Sequence, residues 1–146
     1  MPRVSLTRKV RFAAAHRYSR PEWSEEENRH VFGLCANPHG HGHNYLLEVT
    51  VEGEIDPVTG FCVDLDALDR MLDERVRQPL DHQHLNHVVP AFAPGGAIPT
   101  SENILAYLWP TLAEAVPAPA RLVRLRLHEE DGFHVDFVGG EAASAP

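Results

Sequence analysis

Along the first sixteen residues the even positions read Val4, Leu6, Arg8, Val10, Phe12, Ala14 and His16, which predicts a strand whose apolar face runs into a histidine. After Asn44 the odd positions Tyr45, Leu47, Val49 and Val51 alternate with Glu48, Thr50 and Glu52, predicting a second strand with one buried and one wet face. Between the two, residues 19–32 hold a short helix at most, with Ser24 as N-cap, Glu27 completing a capping box and Gly33 ending it. The run from Asp56 to Gly60 has proline and glycine at turn positions. Asp64 then caps a helix with Leu65, Leu68, Leu72 and Val76 on one face, which Pro79 is expected to stop. A polar loop over 80–87 and a Pro/Gly-rich loop over 88–99 lead to a second helix, capped by Thr100 or Ser101 and carrying Ile104, Leu105, Leu108, Trp109, Leu112 and Val116 on its face. Pro110 lies inside that pattern and should kink it, since an interior proline costs about 3 kcal/mol. Val123, Leu125 and Leu127 alternate with Arg124, Arg126 and His128 in a third strand, and the Asp131-Gly132 hairpin signal returns the chain through Phe133, Val135 and Phe137. The expectation is an α+β domain over residues 1–138, in ββααββ order, with two helices on one face of a four-stranded antiparallel sheet. A small flexible tail, 139–146, would follow it.

Three of the predicted strands carry their apolar face into a polar residue. In the stretch Cys35-Ala-Asn-Pro-His-Gly-His-Gly-His-Asn-Tyr45, alternation places His39, His41 and His43 on one side of an extended chain. His41 and His43 share the parity of Tyr45 and Leu47, as His16 shares that of Phe12. Two neighbouring strands would therefore bring three imidazoles together, the ligand number of a catalytic zinc site that keeps one position open. The alternative is a flexible His/Gly loop, and the pair His39/His41 could serve in place of His41/His43. Glu129 ends the Val123 parity, and a carboxylate on a buried face must find a partner or change its ionisation. Three histidines and Asp81 crowd residues 81–87, another concentration of polar chemistry in a loop.

Composition narrows the field. A chain of 146 residues, 43% apolar and 23% charged, is one soluble domain with a real core. A net charge of −8 argues against a nucleic-acid surface. With two distant cysteines and no long apolar run, a cytoplasmic protein with reduced thiols and no membrane partner is expected. Cys35 is then available as nucleophile or base, whereas Cys62, in an apolar run, reads as a buried structural thiol.

The segments Phe12-Ala-Ala-Ala-His16, Cys35 through Tyr45, Gly53-Glu-Ile-Asp-Pro57, Pro79-Leu-Asp81-His82 and Thr100-Ser-Glu-Asn103 resemble, in order, the 6-pyruvoyl-tetrahydropterin synthase family. The likeness runs from about residue 4 to residue 138. It implies the tunnelling fold (T-fold), in which sheets of three subunits close a barrel and two trimers stack into a homohexamer. It also implies zinc on His16, His41 and His43, Cys35 as proton-abstracting base, and Asp81 and His82 as its relay. Glu129, with Thr100 and Glu102, would hold the pterin. The implied substrate is a reduced pterin triphosphate, 7,8-dihydroneopterin triphosphate, and the implied product 6-pyruvoyl-tetrahydropterin. A related activity, 6-carboxytetrahydropterin synthase of the queuosine pathway, has three residues between its cysteine and the first liganding histidine. The triplet Cys35, His39 and His41 fits that spacing as well. A non-catalytic zinc- or pterin-binding protein of this fold is a further alternative, for which Cys35 and its relay would have no use.

Overall fold

The structure is a computed structural model that describes residues 1–139. Two long strands dominate it. β1 (Arg3–His16) and β2 (His41–Glu54) pair antiparallel along their whole length, from Arg3 opposite Glu54 to His16 opposite His41. The segment between them holds α1 (Glu25–Phe32), where the Ser24 hydroxyl accepts the Glu27 N–H at 3.1 Å. Asn28, buried, ties the preceding loop together: its Oδ1 accepts from Arg20 N–H, and its Nδ2 donates to the carbonyls of Arg20, Trp23 and Ser24. Gly33 closes α1 at φ 59°, a left-handed position that glycine enters without strain, and a 3₁₀ turn, Gly33–Ala36, carries Cys35.

After β2, Asp64 Oδ1 accepts the Ala67 N–H and starts α2 (Leu65–Leu72). Pro79 does not stop this helix as expected. A π-helical turn, Asp73–Arg77, follows, with Gln78 N–H donating five residues back to the Asp73 carbonyl, and the chain runs on into α3 (Gln78–Leu80). The wider turn shifts the hydrogen-bond register just before a residue that has no N–H to offer. The polar loop then proves to contain β3 (Gln83–His84) and a single helical turn, α4 (Leu85–Val88), with a 3₁₀ turn at Pro90–Phe92. α5 (Ser101–Ala115) is capped by Thr100 and passes through Pro110 unbroken. It is held by the burial of Ile104, Leu105, Leu108 and Leu112 and by Trp109 stacked on Phe137, ring centroids 4.6 Å apart. β4 (Arg121–Glu130) and β5 (Phe133–Val138) form the predicted hairpin.

The sheet corrects the expectation of four antiparallel strands. It has five, in the order β3-β1-β2-β4-β5, and is mixed, because β3 runs parallel to β1 at Ala14 and Ala15. Two residues are too few to show any period, so β3 leaves no trace in the hydrophobic pattern. The helices also outnumber the two of the ββααββ order. On β4 the buried positions are Leu122, Leu125 and Leu127, and Val123 is only half-buried. The β2–β4 register slips between Thr50 and Val51, which re-aims that end of β4.

One face of the sheet joins α2 and α5 in a single core that includes Phe12, Tyr45, Leu47, Val49, Leu68, Leu108, Leu125 and Leu127. Each fully buried Leu, Val or Phe there contributes about 1.5–3 kcal/mol. The other face is charged. Across the strands Lys9 lies opposite Glu48, Glu48 opposite Arg126 and Arg126 opposite Asp136, so the signs alternate. Among the described residues no helix is long and apolar enough to cross a membrane. The predicted tail beyond Gly139 lies outside the described residues.

Candidate metal and catalytic site

The register of β1 and β2 builds the centre of the site. His16 stands directly across from His41, and His43 is opposite Ala14, so all three imidazoles rise on the core side at one end of the sheet. Their ligand nitrogens all lie within 4.8 Å of one another, a group that could hold a metal ion. His16 Nε2 and His41 Nε2 are 3.1 Å apart. Nitrogens sharing a tetrahedral zinc at bonds of 2.0–2.1 Å stand about 3.3 Å apart, so this spacing fits. His43 Nε2 is buried with no hydrogen-bond partner among the described residues, an orphan that a metal ion would satisfy.

Protonation favours the same reading. Burial, followed by the neighbouring His43, His41 and His84, pushes the His16 pKa down to about 3. Burial and then His43 push His41 down as well. Neutral imidazoles are the ligating form. Which nitrogen of His16 keeps its proton follows from its partners. Tyr45 Oη is 2.8 Å from His16 Nδ1 and 3.4 Å from Glu129 Oε1. The phenol donates to Glu129 Oε1 and so accepts from His16 Nδ1–H. That leaves the His16 Nε2 lone pair aimed into the gap shared with His41.

Cys35 reaches the same gap from its 3₁₀ turn, which a 2.7 Å hydrogen bond from Tyr18 N–H to the Cys35 carbonyl fixes against the end of β1. Its Sγ lies 3.1 Å from His41 Nε2 and 3.9 Å from His16 Nε2. Burial, and then Glu129, push the thiol pKa up. Glu129 approaches from β4, its side chain 11% exposed, with Oε1 3.8 Å from His43 Nε2 and 3.9 Å from His16 Nδ1. Tyr18 donates to it as well, at 3.4 Å. Both phenol contacts fall on Oε1, which leaves Oε2 for a ligand. Burial, then Glu129, raise the pKa of both tyrosines, which stay protonated donors.

The remaining predicted residues lie further out. Thr100 Oγ1 accepts from Asn103 N–H as the cap of α5, and Glu102, exposed in its first turn, is close enough to act on the charge of Tyr18. Asp81 is pinned by the Ala13 N–H at 2.8 Å and lies 3.0 Å from His82 Nδ1. That backbone hydrogen bond first, then His82, hold the Asp81 carboxyl below its usual range. His82, with φ 60°, turns its side chain outward, 82% exposed, and no hydrogen bond joins Asp81 or His82 to Cys35 among the described residues. His39 stands outside the metal group and lines a separate cavity with His84 and His87. Cys62 is buried, as expected.

Sequence reasoning missed Tyr18 as a site residue and took Tyr45 only as core. For Tyr45 the signal was present: it lies two residues beyond His43 on the same strand parity, with a hydroxyl to aim back at the histidines, whereas Tyr18 follows the end of β1.

Comparison with known proteins agrees with this geometry. The family model described as 6-pyruvoyl tetrahydropterin synthase matches residues 5–139. The chain is similar to the 6-pyruvoyl tetrahydrobiopterin synthase of Poecilia reticulata, at 45% identity over 92% of this chain and 89% of the relative. It is similar to the human enzyme of that name at 40% identity, covering 93% and 92% respectively. The structure of Caenorhabditis elegans 6-pyruvoyl tetrahydropterin synthase superposes with a TM-score of 0.86 at 33% identity, over 96% of this chain and 98% of that one. With the match spanning the strands, His16, His41, His43 and Glu129 alike, the chain belongs to the 6-pyruvoyl tetrahydropterin synthase family and is a lyase of that kind.

Proposed function

We propose that the protein is a zinc-dependent lyase that converts 7,8-dihydroneopterin triphosphate to 6-pyruvoyl-tetrahydropterin and releases triphosphate. The observation that carries this reading is the convergence of the Cys35 thiol on the gap between His16 Nε2 and His41 Nε2. A protein that only bound pterin would gain nothing from a thiol there. The names of the relatives point to the same reaction. The register through His39 and His41, which would favour the carboxy product, lacks support, because His39 faces another cavity.

His16, His41 and His43 would hold the metal, and zinc, when bound, supplies Lewis acidity toward the hydroxyl groups of the substrate side chain. Cys35 takes the proton from the side-chain carbon beside the ring. A thiol pushed upward by burial needs an acceptor or a positive charge close by to act as a base. The Asp81–His82 pair is suited to that task but makes no hydrogen bond to the Cys35 of its own chain among the described residues. It therefore serves the Cys35 of an adjoining subunit. Glu129, through Oε2, accepts from the amino and ring N–H groups of the pterin, with Thr100 and Glu102 at the rim. The reaction needs no outside oxidant: the carbon beside the ring is oxidised to a ketone as the ring gains the hydrogen pair, and loss of triphosphate creates the second ketone.

The assembly is a homohexamer of two trimers. β5 leaves one sheet edge open, and β3 covers only two residues of the other, so closure across subunits would protect both. Free Cys35 and Cys62 suit the reducing cytoplasm. The test is turnover of 7,8-dihydroneopterin triphosphate by protein stripped with a chelator and then restored with zinc. Loss and recovery of activity are expected; absence of turnover in the restored protein would overturn the reading.

A further inference from the structure

Three histidines that the proposed reaction does not use, His39, His84 and His87, face one cavity of about 260 Å³ together with Arg17 and Ser19. Its far wall is the loop from Phe92 to Pro99. Among the described residues no carboxylate lines it, in a chain with 21 acidic residues and a net charge of −8. Asn86 fixes the frame. Its Oδ1 accepts from Arg17 N–H at 2.8 Å, and its Nδ2 donates to the carbonyls of Arg17 and Phe92 at 2.9 and 3.1 Å. The Arg17 guanidinium makes one hydrogen bond among the described residues, from Nε to the Ala36 carbonyl at 3.3 Å, so its outer nitrogens stay available. His84 Nδ1 is buried with no hydrogen-bond partner among the described residues.

The cavity shares a wall with the metal site. Gly40, the residue before His41, has φ 72°, and a Cβ there would lie 2.4 Å from the His16 carbonyl and 3.0 Å from His84 Nε2. A second metal ion is a poor fit for the cavity. The rings of His84 and His87 stack at 4.1 Å with 13° between planes, so their in-plane lone pairs run side by side and do not converge. A guanidinium, imidazole N–H groups and a serine hydroxyl with no carboxylate among them are the donor set of a phosphate site.

We propose that this cavity binds an oligophosphate anion, the triphosphate tail of the substrate. The identity of that anion rests on the lyase reading above. In a dihydroneopterin triphosphate the phosphate chain begins on the third side-chain carbon. With the first two at the histidine group, the tail leaves from beside it, where this cavity lies.

The experiment is calorimetric titration of the zinc-loaded protein with inorganic tripolyphosphate, alongside steady-state kinetics, for wild type, Arg17→Gln, Arg17→Lys and His87→Gln. Arg17→Gln and His87→Gln should each weaken tripolyphosphate about ten-fold or more, the loss of a charge-assisted hydrogen bond. They should raise KM for the triphosphate substrate far more than they lower kcat. Binding of unphosphorylated dihydroneopterin and zinc content should not change, and Arg17→Lys should recover most of the affinity. If neither Gln variant alters tripolyphosphate affinity while turnover persists, the cavity is not the phosphate site and the lyase reading stands. If the anion binds through Arg17 and His87 but no turnover occurs, the site stands and the lyase reading falls. Binding abolished by zinc removal yet indifferent to Arg17 would place the anion on the metal and overturn the proposal.

Discussion

At the scale of single residues, the site depends on hydroxyls and a thiol that surround the imidazoles. The Tyr45 hydroxyl links His16 Nδ1 to Glu129, and its ring stacks on Phe12 with centroids 4.9 Å apart. Tyr45→Phe keeps the stack and removes the link, so zinc affinity should fall about 10–100-fold while the fold is retained, as zinc titration against a competing chelator would show. Cys35 makes a different case. Cys35→Ala should keep stoichiometric zinc, because three imidazoles remain, and lose about 10²–10⁴-fold in turnover, the contribution of a positioned general base. Metal analysis and rate measurement on one preparation separate the two effects. His16, His41 and His43 were legible because a strand repeats every two residues and side chains that converge keep that phase. Tyr18 was not, since it lies beyond the end of β1, where no alternation remains to read.

At the scale of elements, the entry to β2 carries most of the constraint. Gly40 bends the chain so that His41 can face His16, and no side chain fits there. Gly40→Ala should cost about 1–3 kcal/mol from the left-handed backbone alone, with a further loss from the clash. A lowered Tm together with lowered zinc content would be the observed outcome; an unchanged Tm would show that the close approach is not what positions His41. The long strands, the caps Ser24, Asp64 and Thr100 and the Asp131-Gly132 hairpin followed from local pattern. The elements that escaped prediction are those that local pattern cannot encode. β3 exists only because Gln83 and His84 lie along the outer edge of β1, the helix passes Pro79 by widening to a π turn, and α5 tolerates Pro110 because the packing of Leu108, Trp109 and Leu112 outweighs its cost.

At the scale of the whole molecule, a sheet with one apolar and one charged face makes sense in an assembly. The row Lys9, Glu48, Arg126 and Asp136 alternates in sign, and Arg126 pairs with Asp136 at 2.7 Å while His128 meets Glu48 at 2.5 Å. Such a face can line a water-filled tunnel without net repulsion. The protein should therefore sediment as six chains of 16.3 kDa each, and a stable monomer at micromolar concentration would contradict the closed barrel. It would also contradict the proposed service of the Asp81–His82 pair to the Cys35 of an adjoining subunit. The central claim is the reaction itself, and product analysis tests it most directly: the zinc-loaded protein is incubated with 7,8-dihydroneopterin triphosphate, the pterins are separated by chromatography and acetaldehyde is assayed. The account predicts 6-pyruvoyl-tetrahydropterin with an equivalent of triphosphate and no acetaldehyde. Stoichiometric acetaldehyde with 6-carboxytetrahydropterin would contradict it.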